Sequence, residues 1–269
     1  NAAGIHGGAA YIRDAAVTEI RRSTFSGNTA GRAGGALYFG GDVSTRQLVI
    51  DRSTFANNVA ASDGGALYLR TGQVTITNST FSGNRTQSDG GAIAMNDNAF
   101  TPSGSSLTIR NSTITGNVAG TDGVGEGGGL YLVNGAVTVE NTIVANNLQN
   151  NTAANDIVRG GGTLAVRSSL IETAPAAGTI TGANTGNIVG QDPLLGSLGS
   201  NGGPTQTHPL LAGSPAINAG SAALPGVPAT DQRGPGFARV VGAGLDIGAF
   251  EVQPPPAGRA RSSPSPPTA

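Results

Sequence analysis

Four near-identical heptapeptides recur along the chain: R-S-T-F-S-G-N at 22–28, R-S-T-F-A-N-N at 52–58, N-S-T-F-S-G-N at 78–84 and N-S-T-I-T-G-N at 111–117. Fainter copies follow at 141–147 (N-T-I-V-A-N-N) and 168–171 (S-S-L-I). Alignment puts Phe25, Phe55, Phe81, Ile114, Val144 and Ile171 in one column, at spacings of 30, 26, 33, 30 and 27 residues. A period of this size marks a stacked array. One unit is too small to bury its own apolar face, and its neighbours bury it by stacking.

Two further columns need no adjustment. Five residues before the first stand Ile20, Ile50, Ile76, Ile109, Val139 and Val166; seven before it stand Thr18, Leu48, Val74, Leu107, Val137 and Leu164. Positions two apart share a face of a strand, and the residues between them are mostly polar, which is the pattern of a half-buried strand. A Gly-Gly-Ala motif at Gly34, Gly64 and Gly90, with variants at Gly7 and Gly127, opens a second strand such as A-L-Y-F (36–39) or A-L-Y-L (66–69). Stacked in register at about 4.8 Å per rung, these segments predict an all-β fold. The expected architecture is a right-handed single-stranded parallel β-helix, a solenoid whose loops of varying length leave from one corner. Asn28, Asn58, Asn84, Asn117 and Asn147 recur three residues after the core column. Stacked amides form hydrogen-bond ladders along such an axis, and Asn tolerates left-handed turns.

Composition narrows the partners. The formal net charge is −1, which gives no electrostatic case for nucleic acid or an anionic membrane. No apolar run approaches the ~20 residues of a membrane-spanning helix. Cys is absent, so disulfides, thiolate metal sites and cysteine nucleophiles are excluded. All 15 basic residues are Arg, for which genome base composition is the plain explanation. The chain opens at Asn1 in mid-repeat, as expected of a processed chain or a fragment.

G-G-A-L paired with F-x-x-N, over roughly residues 5–175, resembles the repeat of chlamydial polymorphic outer-membrane proteins and related bacterial β-helix proteins. Farther on, D-P-L-L-G-S-L (192–198), N-G-G-P-T-Q-T-H-P-L (201–210), G-S-P-A-I-N-A-G (213–220), D-Q-R-G (231–234) and D-I-G-A-F-E (246–251) resemble the choice-of-anchor Q domain in order and spacing. That resemblance implies a bacterial surface or secreted protein in which a stalk precedes an anchoring signal, and it implies no enzymatic activity. Where the family's anchoring signal is expected, the sequence reads Q-P-P-P-A-G-R-A-R-S-S-P-S-P-P-T-A, a departure from the family's pattern that puts the mode of attachment in question. Three segments result: repeats over 1–185, terminal coils and a cap closing the rod over 186–252, and a spacer or polyproline tail over 253–269 whose removal leaves the melt unchanged. Asp231, Arg233, Asp246 and Glu251 are read either as an ion-pair network in that cap or as surface charge.

Candidate chemistry gathers around two columns. Asp63, Asp89 and Glu126 each precede a Gly-Gly pair, where earlier copies carry His6 and Ala33. In neighbouring rungs such carboxylates stand about 5 Å apart, the separation of a retaining glycosidase pair, and they also suit a weak Ca²⁺ site. Asp before Gly is equally an ordinary turn choice, no Lys is present to act as a base, and no Arg accompanies all three acids. No catalytic or metal set is therefore assigned, and no cofactor is expected. All four tyrosines, Tyr11, Tyr38, Tyr68 and Tyr131, share a column interrupted by Ala94. Both parities of that strand are apolar. An outward column makes an aromatic stripe for sugar rings or protein partners, and an inward one makes an interior stack; packing is the preferred reading. His6 and His208 stand apart with no second ligand nearby. Gly123 to Gly129 lacks the strand–loop–helix context of a phosphate loop. The longest loops, 97–105 and 118–127, are the segments the fold constrains least.

The expected function is a non-enzymatic bacterial cell-surface or secreted protein, a structural stalk or adhesin-like module meeting a surface glycan or protein. One alternative is a self-assembling subunit of an extracellular fibre or sheath, joined through the β-helix ends. Another is a carbohydrate-active lyase or hydrolase using the acidic column.

Overall fold

A computed structural model describes residues 1–96 and 104–254. Among them there is no helix; the chain winds so that nearly every turn adds one short strand to each of four ladders. The Phe ladder comprises Thr24–Ser26, Thr54–Ala56, Thr80–Ser82, Thr113–Thr115, Ile143–Ala145, Leu170–Ile171 and Ile188–Val189. Two-residue strands from Ala2–Ala3 to Leu148–Gln149 form the bridge ladder, which the antiparallel Ala153–Ala154 closes. The Tyr ladder comprises Ala10–Ile12, Leu37–Phe39, Leu67–Leu69, Ile93–Met95, Leu130–Leu132 and Ile157–Arg159. Five-residue strands, Val17–Arg21, Gln47–Asp51, Gln73–Thr77, Ser106–Arg110, Ala136–Glu140 and Thr163–Arg167, with Asn184–Thr185, make the long-strand ladder. Pairing from turn to turn is parallel and in the register the repeat demands: Ile50 lies between Ile20 and Ile76, and Phe55 between Phe25 and Phe81.

Register dictates the core. Leu48, Ile50, Phe55, Val74, Ile76 and Phe81 point inward and are at most 1% exposed. Phe25 and Phe55 stack with centroids 4.7 Å apart and planes 3° from parallel, and Phe55 and Phe81 at 4.7 Å and 2°. That separation is the strand spacing itself, so one aromatic per rung at one position has no other geometry open to it.

Polar corners hold the turns. The residue before the Ser of each copy takes the left-handed conformation, Arg52 at φ 48° and Asn78 at φ 47°. The Ser then bonds in two directions: Ser53 Oγ donates to the Asp51 carbonyl at 3.0 Å and accepts the Ser23 N–H at 3.2 Å. Ser79, Ser112, Thr142 and Ser169 repeat this relation. At the next corner the asparagines form the expected ladder. Asn58 Nδ2 donates to Asn84 Oδ1 at 2.9 Å and to the Phe25 carbonyl at 3.0 Å, while its own Oδ1 accepts the Asn28 backbone N–H at 3.0 Å. The series continues through Asn117 to Asn147 at 2.8 Å per step. Gly-Gly-Ala makes a third corner: Gly64 is left-handed at φ +67°, and a Cβ on Gly65 would overlap the Gly91 carbonyl of the next rung.

Three expectations need correction. Extra residues leave from two corners, not one: between the Tyr and long-strand ladders (40–46 and the segment between Met95 and Ser106) and between the bridge and Tyr ladders (120–129). The tyrosines do not form an interior stack, because Leu37 and Phe39, on the opposite parity, fill the core at 0% exposure. Nor do residues 193–252 close the end of the rod; they run back along its flank and bury the outer face of the Phe ladder.

In that flanking strap, Leu210, Ala216 and Ile247 pack on Ile143, Ala145 and Leu170. Polar contacts reach much farther along the rod. Gln232 bonds Thr54 and Thr80, Thr205 bonds the Arg52 carbonyl, His208 meets Ser82 at 2.9 Å, and Ser221 exchanges bonds with Asn141. Of the four charged residues expected in a network, Asp231 pairs with Arg233 at 2.6 Å and both are buried. Arg233 lies between the Phe237 and Phe250 rings, 3.9 and 3.8 Å from their centroids. Glu251 faces the fully buried Arg239 at 3.8 Å, and Asp246 accepts the backbone N–H groups of Asn218 and Val252. Burial pushes the Glu251 carboxyl up to about 8 and pulls the Arg239 guanidinium down to about 10. The loop residues 97–103 and the tail beyond residue 254 lie outside the described residues.

Candidate functional site

Both candidate columns come together on one side of the rod. Parallel register places Tyr11, Tyr38, Tyr68, Ala94, Tyr131 and Val158 in line along the outer face of the Tyr ladder. The phenol rings stack: Tyr11 on Tyr38 at 4.8 Å, Tyr38 on Tyr68 at 5.3 Å, with His6 against Tyr38 at 4.7 Å. Tyr11 is 48% exposed, Tyr38 is covered by its neighbours, and Tyr68 and Tyr131 are half-buried. Burial raises the Tyr38 and Tyr131 hydroxyls and lifts Tyr68 to about 12, so these three phenols keep their O–H donors.

The acidic column borders this stripe at the Gly-Gly corner. Asp63 Oδ1 accepts the Asp89 N–H at 3.3 Å, and Asp89 Oδ1 accepts the Glu126 N–H at 2.8 Å. Two rungs earlier His6 Nδ1 takes the Ala33 N–H at 3.3 Å in the same manner. The column is thus first a set of turn-to-turn caps, the counterpart of the Asn ladder. Burial, followed by the charges of Asp63 and Glu126, raises the Asp89 carboxyl. Among the described residues no three His, Asp or Glu side chains gather into one group.

Two cavities with charged linings lie along this side. One of about 290 Å³ is lined by His6, Arg32, Tyr38, Asp63, Tyr68 and Arg70. The other, about 460 Å³, lies past Tyr131 and is lined by Glu126, Asp156, Arg159 and Thr173 among others. Arg32, Arg70 and Asp156 carry no repeat signature and were not singled out from sequence.

Four parallel ladders in this register are matched by a family description. Residues 3–192 match the right-handed β-helix region. The chain belongs to the right-handed β-helix family. No curated protein and no solved structure matches it. Within this β-helix region lie all four tyrosines, the three acids and both cavities, whereas the flanking strap begins where the match stops.

His208, the second histidine, belongs to the strap. Its Nδ1 lies 2.7 Å from the Gly196 carbonyl and its Nε2 2.9 Å from Ser82 Oγ, and burial lowers its pKa. Both nitrogens are committed to holding the strap on the rod. Loop 118–127 borders the acidic column through Glu126, and Val124 at its tip is 78% exposed.

Proposed function

We infer that this β-helix is a non-enzymatic rod from the outside of a bacterial cell, and that its Tyr face binds glycan. One observation carries the reading: an outward column of stacked phenols, open at Tyr11, with hydroxyl, carboxylate and guanidinium groups along its border. Stacking commits the ring faces to one another, so the column offers its ring edges and O–H groups, and the polar rim beside it takes sugar hydroxyls. Rungs repeat at about the strand spacing, so successive sugars of an extended chain meet successive copies of one surface. The acids serve as backbone caps, which argues against free catalytic carboxylates. The choice-of-anchor Q resemblance supports the extracellular placement. The test is a surface-glycan array read with wild type and with Tyr11→Ala/Tyr38→Ala/Tyr68→Ala; retained binding by the triple variant sinks the assignment.

A carbohydrate-active reading is favoured by one feature, the raised Asp89 carboxyl between Asp63 and Glu126. Such a group is a general-acid candidate. Cleavage of a bound polysaccharide that is lost in Asp89→Asn and kept in Asp63→Asn would establish it.

A further inference from the structure

Two aromatic columns run along the rod, and they differ in chemistry. The Phe column stacks inert rings inside it. The Tyr column stacks phenols on its outside, and a phenol gives up an electron and a proton to a one-electron oxidant. Tyr11 and Tyr38 are the closer pair, with centroids 4.8 Å apart and planes 26° from parallel; Tyr38 and Tyr68 stand at 5.3 Å and 19°. In-register pairing sets like atoms beside like atoms, so the carbons flanking one hydroxyl face those flanking the next. Tyr131 is set apart, because Ala94 occupies the rung between it and Tyr68.

Access is uneven as well. Tyr11 is 48% exposed, whereas Tyr38 is 5% exposed and borders the cavity of about 290 Å³ together with Tyr68. A radical made at Tyr11 therefore meets Tyr38 first. A neighbour held in contact reacts at an effective concentration that no dissolved phenol reaches. The chain has no Cys, so disulfides cannot tie its turns together.

We propose that Tyr11 and Tyr38 are a site of oxidative cross-linking, joined carbon to carbon as dityrosine by a haem peroxidase with hydrogen peroxide. Each phenol loses one electron and its hydroxyl proton, and peroxide takes up both electrons and both protons to leave as water. Tyr38 is oxidised through its neighbour: it passes an electron to the Tyr11 radical and its proton to solvent, and Tyr11 is then oxidised again. The two phenoxyls couple through one ortho carbon each, and the ortho hydrogens move to the oxygens, restoring both hydroxyls. The bond ties the first turn of the rod to the second and stabilises mainly by restricting the unfolded chain. This chemistry is independent of what the face binds.

The test oxidises the full chain, dilute and folded, with a haem peroxidase and hydrogen peroxide. Expected is a monomer lighter by two hydrogens, with dityrosine emission, a linked peptide pair holding Tyr11 and Tyr38, and a raised melting temperature. Tyr11→Phe loses that product, and the same oxidation in urea links Tyr131 as readily as the other tyrosines. Coupling only between copies, links to Tyr131 as frequent in the folded chain as in urea, or consumption of Tyr11 without any link overturns the proposal. A Tyr38–Tyr68 link in place of Tyr11–Tyr38 overturns the choice of pair.

Discussion

Asn147 and Asp156 end the asparagine ladder together: Asn147 Nδ2 donates to Asp156 Oδ1 at 2.8 Å, where every earlier rung meets another amide. An amide ladder has a direction, and its last donor needs an acceptor that passes nothing on. A carboxylate meets that need, and its second oxygen takes the Thr173 N–H at 2.7 Å. Asp156→Ala leaves one N–H of the Asn147 amide and the backbone N–H groups of Asn147 and Thr173 without partners. The expected loss is about 3 kcal/mol, read by urea unfolding.

Asn84 sits mid-ladder and shows why the column is asparagine. It accepts from Asn58 and donates to Asn117 Oδ1 and to the Phe55 carbonyl. Asn84→Ala costs about 2–4 kcal/mol. Asn84→Asp is more damaging than Ala, because its second oxygen faces two acceptors in a site with 0% exposure. The order of the two melting temperatures checks this.

Ile76→Asp places an unpaired carboxylate among Ile50, Ile109 and the Phe column. A loss above about 4 kcal/mol follows, whereas Ile76→Val costs about 1 kcal/mol. A wild-type melt for the Asp variant contradicts the inward assignment.

The strap makes stability fall with rising pH. Glu251 keeps its proton to about pH 8 in the folded chain, against an ordinary 4.5. Between those values the folded state binds more protons than the unfolded one, so its contribution is full below 4.5 and lost as pH rises toward 8. Asp156, raised to about 6, acts with the same sign but at lower pH. His208, lowered from 6.5, acts with the opposite sign and only below that value. Urea unfolding between pH 6.5 and 8 therefore isolates Glu251. Wild type weakens across that window, and Glu251→Gln is flat.

The winding was legible because Phe55, Ile50 and Asn58 recur with the rung, and parallel stacking turns each recurrence into a contact. Tyr68 was misread because Leu67 and Leu69 beside it are as apolar as a core position requires, and alternation has no sign when both faces are apolar. Asp156 escaped notice because the ladder's end lies outside the repeat, in the link between the antiparallel Ala153–Ala154 strand and Ile157–Arg159. Arg239 and Gln232 bind partners well over a hundred positions away, and no local pattern announces a strap that returns along the flank instead of over the end.

All four tyrosines lie in the outward column and the chain has no Trp, so intrinsic fluorescence reports on that face alone. The decisive measurement is Tyr emission during titration of an array-selected oligosaccharide, with mass spectrometry of the sugar afterwards. The account predicts a saturable change in emission and recovery of the sugar intact. Saturable binding with unchanged emission, or recovery of shortened fragments, contradicts it.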